Sequence, residues 1–426
     1  MQKYLTIHGH FYQPPRENPW TETIDRQPSA HPEHDWNEKI NAECYYPNGF
    51  SRILDSQHRI DGIVNNYSKI NFNFGPTLLT WMEKHAPEVY QRILQADREG
   101  SEHNNGHGPA IAQAHSHVIL PLATVEDQHT QIRWGIADFK YRFKREPESI
   151  WLPETAINQT TLNILTEYPF KYIILSPHQA WRFRPLADAQ ADWGMVDDGS
   201  IDTRRAYRCF AQDENGEKIA ERYIDIFFYH GDLSRAISFE NLLDDAQCLA
   251  ERIDKAFGAV AGARLVSLAT GGETYGHHKK FGDMALAYFL NVEAPKRDIT
   301  PVTYGAFLEM QPPQFEVELK PGPDGEGTAW SCAHGVGRWY RDCGCHTGGE
   351  LHWTQGWRQP LRDALDHLRD ELRKLTANLT DGLLKNLRAA RDSYIDVLLE
   401  RTDESVQHFF AENSVRPLNE AEQKQV

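Results

Sequence analysis

The 426 residues hold 45 Lys and Arg against 61 Asp and Glu, a formal charge of −16, with 40% hydrophobic and 25% charged residues. This is the mix of a globular chain with two or three domains' worth of core. Its sign disfavours a nucleic-acid backbone or an anionic membrane as partner, and no stretch approaches the roughly 18 apolar residues of a spanning helix.

Residues 3–8 (KYLTIH) predict a short buried strand. Residues 12–50 are rich in Pro, Asn, His and Trp without any period, and read as a long excursion over one end of the fold. Residues 70–75 (INFNFG) alternate like a strand, and helical patterns follow through residue 98. Residues 125–144 predict an amphipathic helix, with Ile132, Ile136, Phe139 and Phe143 on one face. ESIWLPE then forms a strand running into Pro153 and Glu154; 171–176, 222–230 and 264–270 are further apolar strands. Strand alternating with helix predicts a parallel α/β sheet or barrel. Near residue 310 the character changes. Residues 311–328 are rich in Pro and Gly and read as a connection. Leu361, Leu365, Leu368, Leu372 and Leu375 then step by four and three, and Leu383, Leu387, Ala390, Tyr394 and Leu398 repeat the rhythm. That pattern predicts an antiparallel helical pair. The final NEAEQKQV begins like a helix and lacks a closing cap, so the chain is expected to continue in a longer protein.

Polar residues gather at the C-terminal ends of the expected strands: His8 and His10, Glu154, His230 and Asp232, and the run from Gly271 to His278. In an α/β barrel those ends share one face, which carries the active site. His-x-His in a strand turns both imidazoles to one side, to ligate a metal or to bond hydroxyls. His107, His115 and His117 follow in GHGPAIAQAHSHVILPL, with His107 and His115 read as solvated loop. Glu154, stiffened by Pro153 and flanked by Trp151, has the fixed placement a nucleophilic carboxylate needs; an N-cap or a surface ion pair would give the same pattern. Trp330, Trp339, Trp353 and Trp357 put four of eleven tryptophans into a short segment, apt for stacking on sugar rings, although some belong to the core. Six cysteines are too scattered for a disulfide framework. With no signal-like start, they set the expected compartment as the cytoplasm. Cys332, His334, Cys343 and Cys345 could hold a zinc ion or be simply buried; C-x-H…C-x-C is not a common finger spacing. No metal and no cofactor are expected.

HGHFYQP, His117 in HVILPL, WLPE, GGETYGHH and TAW…GVGRW, in that order, resemble the motifs of glycoside hydrolase family 57. The resemblance implies an incomplete TIM-like (β/α)7 barrel followed by an α-helical region, placed here at residues 1–310 and 311–426, the second completing the cleft. It implies a retaining mechanism on α-glucosidic bonds, by hydrolysis or glycosyl transfer, with no metal needed. Glu154 is then the nucleophile. His8, His10, Gln13, His117, Trp151, His277, Trp330, Trp339 and Trp357 are the expected substrate-binding residues. The family's acid/base Asp falls on Gly271, so that position is vacant; Glu273 is the candidate substitute, set by strand alternation on the same side as Gly271. Three readings stay open at Gly271: an inactivated variant, a relative that has lost activity, or a site served by Glu273. The expected partner is an oligo- or polysaccharide, with no nucleic acid and no membrane. The alternatives are a carbohydrate-binding protein without turnover, and a metal-dependent polysaccharide deacetylase, which would need an Asp beside the His pair.

Overall fold

The computed structural model describes residues 2–258, 264–346, 348–350 and 352–426. Among the described residues seven parallel strands line its centre, β1 (Lys3–Phe11), β2 (Asn71–Phe74), β3 (Ala112–Gln113), β4 (Ile150–Trp151), β5 (Tyr172–Leu175), β6 (Lys218–Phe228) and β7 (Arg264–Gly271), and a short further strand, Ile299–Pro301, pairs parallel with Lys3–Leu5 of β1. β7 and β2 flank β1; β3 meets β2 through the Phe72–Ala110 bridge and β4 through Ala112–Ile150; Ser149–Tyr172 leads to β5, which pairs with β6. One backbone bond, from His230 N–H to Ser267 O (2.7 Å), joins the end of β6 to β7 and closes the ring. Helices cover the outside, so β5 (YIIL) and the end of β6 are buried apolar runs. β1 is buried from Tyr4 to Phe11, and β2 throughout.

Covering helices follow the strands: α1 (Pro76–His85) and α2 (Pro87–His103), α3 (Val125–Phe143), α4 (Gln159–Leu165), α5 (Gly231–Phe239), α6 (Ala246–Ala256) and α7 (Gly282–Tyr288). Proline at the first turn starts α1 and α2, and the Thr124 hydroxyl caps α3 through Asp127 N–H. Ile132 and Phe139 of α3 are buried, with Ile136 and Phe143 packed against the same core. The excursion after β1 is not all loop: Trp36–Ile40 is helical, and a π turn at Asn41–Tyr45 leads into a further turn at Tyr46–Gly49.

The segment expected as a connection contains a strand. Phe315–Leu319 pairs antiparallel with Ala180–Pro185, and its Glu316 is opposite Arg208 of Ala206–Gln212. Its Pro and Gly residues flank the strand without entering it. The helical pair also differs from expectation. α8 (Arg358–Thr380) is a single long helix, but α9 (Leu387–Ser393) and α10 (Ile395–Leu399) break apart at Tyr394. They are tied to α3 instead: Trp134 Nε1 donates to Asp392 O (3.0 Å) and Arg391 pairs with Asp127 (3.0 Å). The α8 leucines remain about half exposed, from 46% at Leu379 to 54% at Leu365. Leu365, Leu368 and Leu372 face Leu384, Leu387 and Tyr394 across a cavity of ≈ 950 Å³. Among the described residues no helix is long and apolar enough to cross a membrane.

Candidate active site

Strand alternation on β1 brings His8 and His10 to one amide. His8 Nε2 lies 2.9 Å from Asn73 Oδ1, and Asn73 Nδ2 lies 2.9 Å from His10 Nδ1 while also donating to Gln113 Oε1 (2.6 Å). With His10 Nδ1 as acceptor, its Nε2–H donates to His117 Nε2 at 3.0 Å. The Trp151 ring stacks on both His8 and His10, at 4.6 and 5.0 Å between centroids, and Tyr12 stacks on His117 at 3.8 Å. Burial holds His8 down at about 3 and His117 at about 4, and with the neighbouring imidazoles it drives His10 well below the ordinary range. All three rings are therefore neutral near pH 7, as suits hydrogen bonding to uncharged hydroxyls. His8 and Trp151 are closed to solvent, at 0% and 1% exposure. Neither offers surface to a ligand, so direct sugar contact expected of them gives way to a place behind His10 and Trp330.

Glu154 follows β4 in a tight turn with φ 60° and ψ 17°, left-handed backbone that costs a non-glycine residue roughly 1–2 kcal/mol. The turn is over-determined. Thr155 N–H bonds Leu152 O (2.7 Å), Gln179 Nε2 bonds Thr155 O (2.8 Å), and Trp330 N–H bonds the carbonyl of Glu154 itself (3.0 Å). The Glu154 carboxylate accepts from the Trp330 indole N–H at 2.9 Å and the Ser331 hydroxyl at 2.6 Å, both on Oε2. Trp330 also stands edge-on to Trp151 at 5.3 Å, which links Glu154 to the His10 cluster. It arrives on a segment paired to the Glu154 loop through the Ile157–Thr328 bridge.

His10 and Gly271 are partners in the β1–β7 register. β7 ends there, and Gly272–Thr274 turns away as a 3-10 turn, so Glu273 does not continue the alternation expected for it. Its Oε1 instead accepts from Tyr12 N–H (3.0 Å) and Tyr45 Oη–H (2.8 Å). Burial raises the Glu273 carboxyl to about 6 against those two bonds. A Cβ on Gly271 would meet nothing nearer than Thr274 Oγ1 at 4.0 Å, whereas one on Gly272 would strike the Phe11 ring at 2.3 Å.

Other expected residues make contacts of their own. His230 caps α5 through Leu233 N–H (3.4 Å), and His107 pairs with Glu148 (2.9 Å) ahead of β4 at the opposite end of the strands. His277 bonds Glu43 (2.5 Å) and meets Trp36 edge-on, tying the excursion to the turn after β7. Gln13 Oε1 accepts from Arg16 (2.7 Å). Trp339 packs beside Ala156, Ala329 and Val336. Trp357, 54% exposed, stacks under Arg358 beside a separate hollow formed with Trp353 and His352. Sequence reading missed Asn73, Tyr12, Tyr45 and Ser331. Asn73 could have been found from the NFNF alternation next to β1, and Ser331 from its place beside Trp330; Tyr45 stands in a stretch with no period.

The family model described as Glycosyl hydrolase family 57 matches residues 6–317, and one described as Domain of unknown function (DUF3536) matches residues 353–426. No curated protein matches the chain in sequence. Among solved structures, the exo-type maltose-forming amylase from Pyrococcus sp. ST04 is similar with a TM-score of 0.62 and 16% identity, over 96% of this chain and 68% of that one. The branching enzyme from Pyrococcus horikoshii gives 0.52 and 17%, over 80% and 75%. The 4-alpha-glucanotransferase from Thermococcus litoralis gives 0.51 and 14%, over 75% of this chain but only 42% of that one. At these identities the likeness is one of fold.

Proposed function

The chain belongs to glycosyl hydrolase family 57, and from that premise we propose that it acts on α-glucans by a retaining mechanism through a glycosyl-enzyme on Glu154. The single observation that carries this reading is the Glu154 carboxylate, fixed in a left-handed turn and bonded on Oε2 by Trp330 and Ser331. Both donors hold Oε2, so Oε1 is the oxygen that attacks the anomeric carbon. The bond from that carbon to the leaving oxygen breaks as the new ester bond forms. Water or a sugar hydroxyl then attacks the same carbon and returns the carboxylate. His10 and His117 bond sugar hydroxyls as neutral imidazoles, and Trp330 presents its ring. The barrel, residues 1–310, carries this chemistry, and residues 311–426 complete the cleft; the setting is the cytoplasm.

The leaving oxygen needs a proton, and Gly271 has none to give. Glu273 is the group suited to that task by chemistry: its carboxyl is raised to about 6, so about a tenth of it is protonated at pH 7 and more below that. Its placement one turn past β7, tied to Tyr12 and Tyr45, makes it a weaker donor than a carboxyl on residue 271. The proposed activity is therefore impaired rather than absent. Time courses on labelled maltooligosaccharides with the chain, Glu154→Gln and Glu273→Gln test this. Slow turnover abolished by the first and reduced by the second supports it. Tight binding with no turnover in any of the three favours the second reading, a carbohydrate-binding protein, which rests on Gly271. The deacetylase reading has less support, because His8 and His10 converge on the amide of Asn73 where a carboxylate would be needed.

A further inference from the structure

Immediately after Ser331 the chain brings three thiols and an imidazole together. Cys332 Sγ lies 3.8 Å from Cys345 Sγ and 4.0 Å from Cys343 Sγ, and Cys345 Sγ lies 3.5 Å from His334 Nδ1. The four ligand atoms are all within 4.8 Å of one another. Tetrahedral zinc, with Zn–S of about 2.3 Å and Zn–N of about 2.05 Å, sets sulfur–sulfur edges at about 3.8 Å and sulfur–nitrogen edges at about 3.6 Å. The three separations just given match those edges, and the remaining pairs stay within 4.8 Å. A disulfide would need one sulfur pair to close to about 2.05 Å and would leave the third thiol and the imidazole unused.

Local backbone builds the group. Cys343-Gly344-Cys345 turns through Gly344 at φ 83°, left-handed backbone that glycine adopts without strain. The Cys345 N–H faces the Cys343 sulfur, as backbone amides commonly face metal-bound thiolates. Cys332 is buried, Cys343 and Cys345 are half-buried, and His334 is exposed at the rim. The unusual C-x-H…C-x-C spacing is accommodated by Gly335, at φ 74°, and by the Gly337–Trp339 turn between the two pairs.

We propose that Cys332, His334, Cys343 and Cys345 bind one structural Zn²⁺ that clips the 331–345 loop shut. Three thiolates and one imidazole suit zinc and close its coordination shell, leaving no open position for catalysis. The clip begins one residue after Ser331 and two after Trp330, the pair that bonds Glu154. Arg338 within the loop holds Ser331 O (2.7 Å). Zinc would thereby fix both donors; this consequence, but not the metal site, rests on the role proposed for Glu154.

The test is metal content of the chain purified under reducing conditions with zinc supplied, followed by replacement with Co²⁺. Expected are one zinc per chain and, with cobalt, the intense tetrahedral d–d bands and sulfur-to-cobalt charge transfer of a thiolate-rich site. Cys343→Ser should lower zinc affinity by at least 10-fold and weaken the charge-transfer band. Zinc removal by chelation should raise hydrogen exchange in residues 328–346 while β1–β7 keep their protection. A chain that takes up neither metal overturns the proposal, as does a Cys–Cys disulfide under those conditions. Full zinc retention in the Cys332→Ser/Cys343→Ser/Cys345→Ser variant assigns the metal elsewhere and also overturns it. None of these readouts depends on glucan turnover. Unchanged glucan turnover in Glu154→Gln would sink the functional reading and leave the metal site standing.

Discussion

Gly271 stands opposite His10 in the parallel β1–β7 register, and the space above its Cα is open, with Thr274 Oγ1 the nearest heavy atom to an added Cβ at 4.0 Å. Its φ of −57° and ψ of 131° suit any L residue. A carboxyl on residue 271 is thus sterically free to enter the cleft. Gly271→Asp is expected to raise kcat on maltooligosaccharides by about 10²-fold or more, the scale of general acid–base assistance. An activated aryl glucoside, which needs little protonation, should gain far less. The two substrates compared in one assay check this.

The neighbouring glycine has the opposite requirement. A Cβ at Gly272 would fall 2.3–2.5 Å from the Phe11 ring, which is itself fully buried. Gly272→Ala is expected to lose about 1–3 kcal/mol of stability through overpacking, while Gly271→Ala stays within about 0.5 kcal/mol of the parent. Urea unfolding of the two variants measures it.

Glu273 carries the pH dependence. With its carboxyl raised to about 6, the protonated form that donates a proton is lost as pH rises through that value. kcat/KM for an unactivated glucan should therefore fall above about pH 6, with Glu273→Gln removing that limb. Tyr45 bonds the carboxylate and favours its charged form. Tyr45→Phe should shift the limb to higher pH, and a shift to lower pH would contradict the assignment.

Trp330 and Ser331 steady the attacking carboxylate. A hydrogen bond to a charged group contributes about 1.5–3 kcal/mol, so Trp330→Phe and Ser331→Ala should each slow glycosylation of Glu154 by about 10- to 100-fold. Single-turnover kinetics with an aryl glucoside separates that step from binding.

His8 links stability to acid. Its folded-state value, depressed to about 3, lies below the ordinary 6.5, so between those values the unfolded chain binds a proton that the folded chain does not. Its contribution is present above about pH 6.5 and is lost as pH falls, by about 1.4 kcal/mol per pH unit. His8→Gln keeps a donor toward Asn73 and cannot titrate. The stability difference between parent and variant should therefore change by about one proton's slope from pH 6.5 to 4.5 in denaturant titrations.

What could be read from sequence follows from period. β1 is legible because its apolar start reads as a buried strand, β2 because Asn and Phe alternate, and His8 and His10 share a face because side chains alternate. The α3 helix is legible from a 3.6-residue stripe that does reach the core. Tyr45 was hidden because the chain between β1 and β2 buries it through a π turn, which follows neither period. The Glu273 alternation failed because Gly271-Gly272 ends the strand one residue too soon. The α8 leucines have the spacing of a packed helix, but spacing cannot say which partner packs on them, and here α9 and α10 turn to α3.

The most direct measurement is mass analysis of the chain after brief reaction with an activated fluorinated α-glucosyl fluoride and acid quench. A covalent hexosyl adduct on the peptide that contains Glu154, missing in Glu154→Gln, is the predicted result. An adduct on Glu273, or none on a chain that still turns over maltooligosaccharides, would contradict the account.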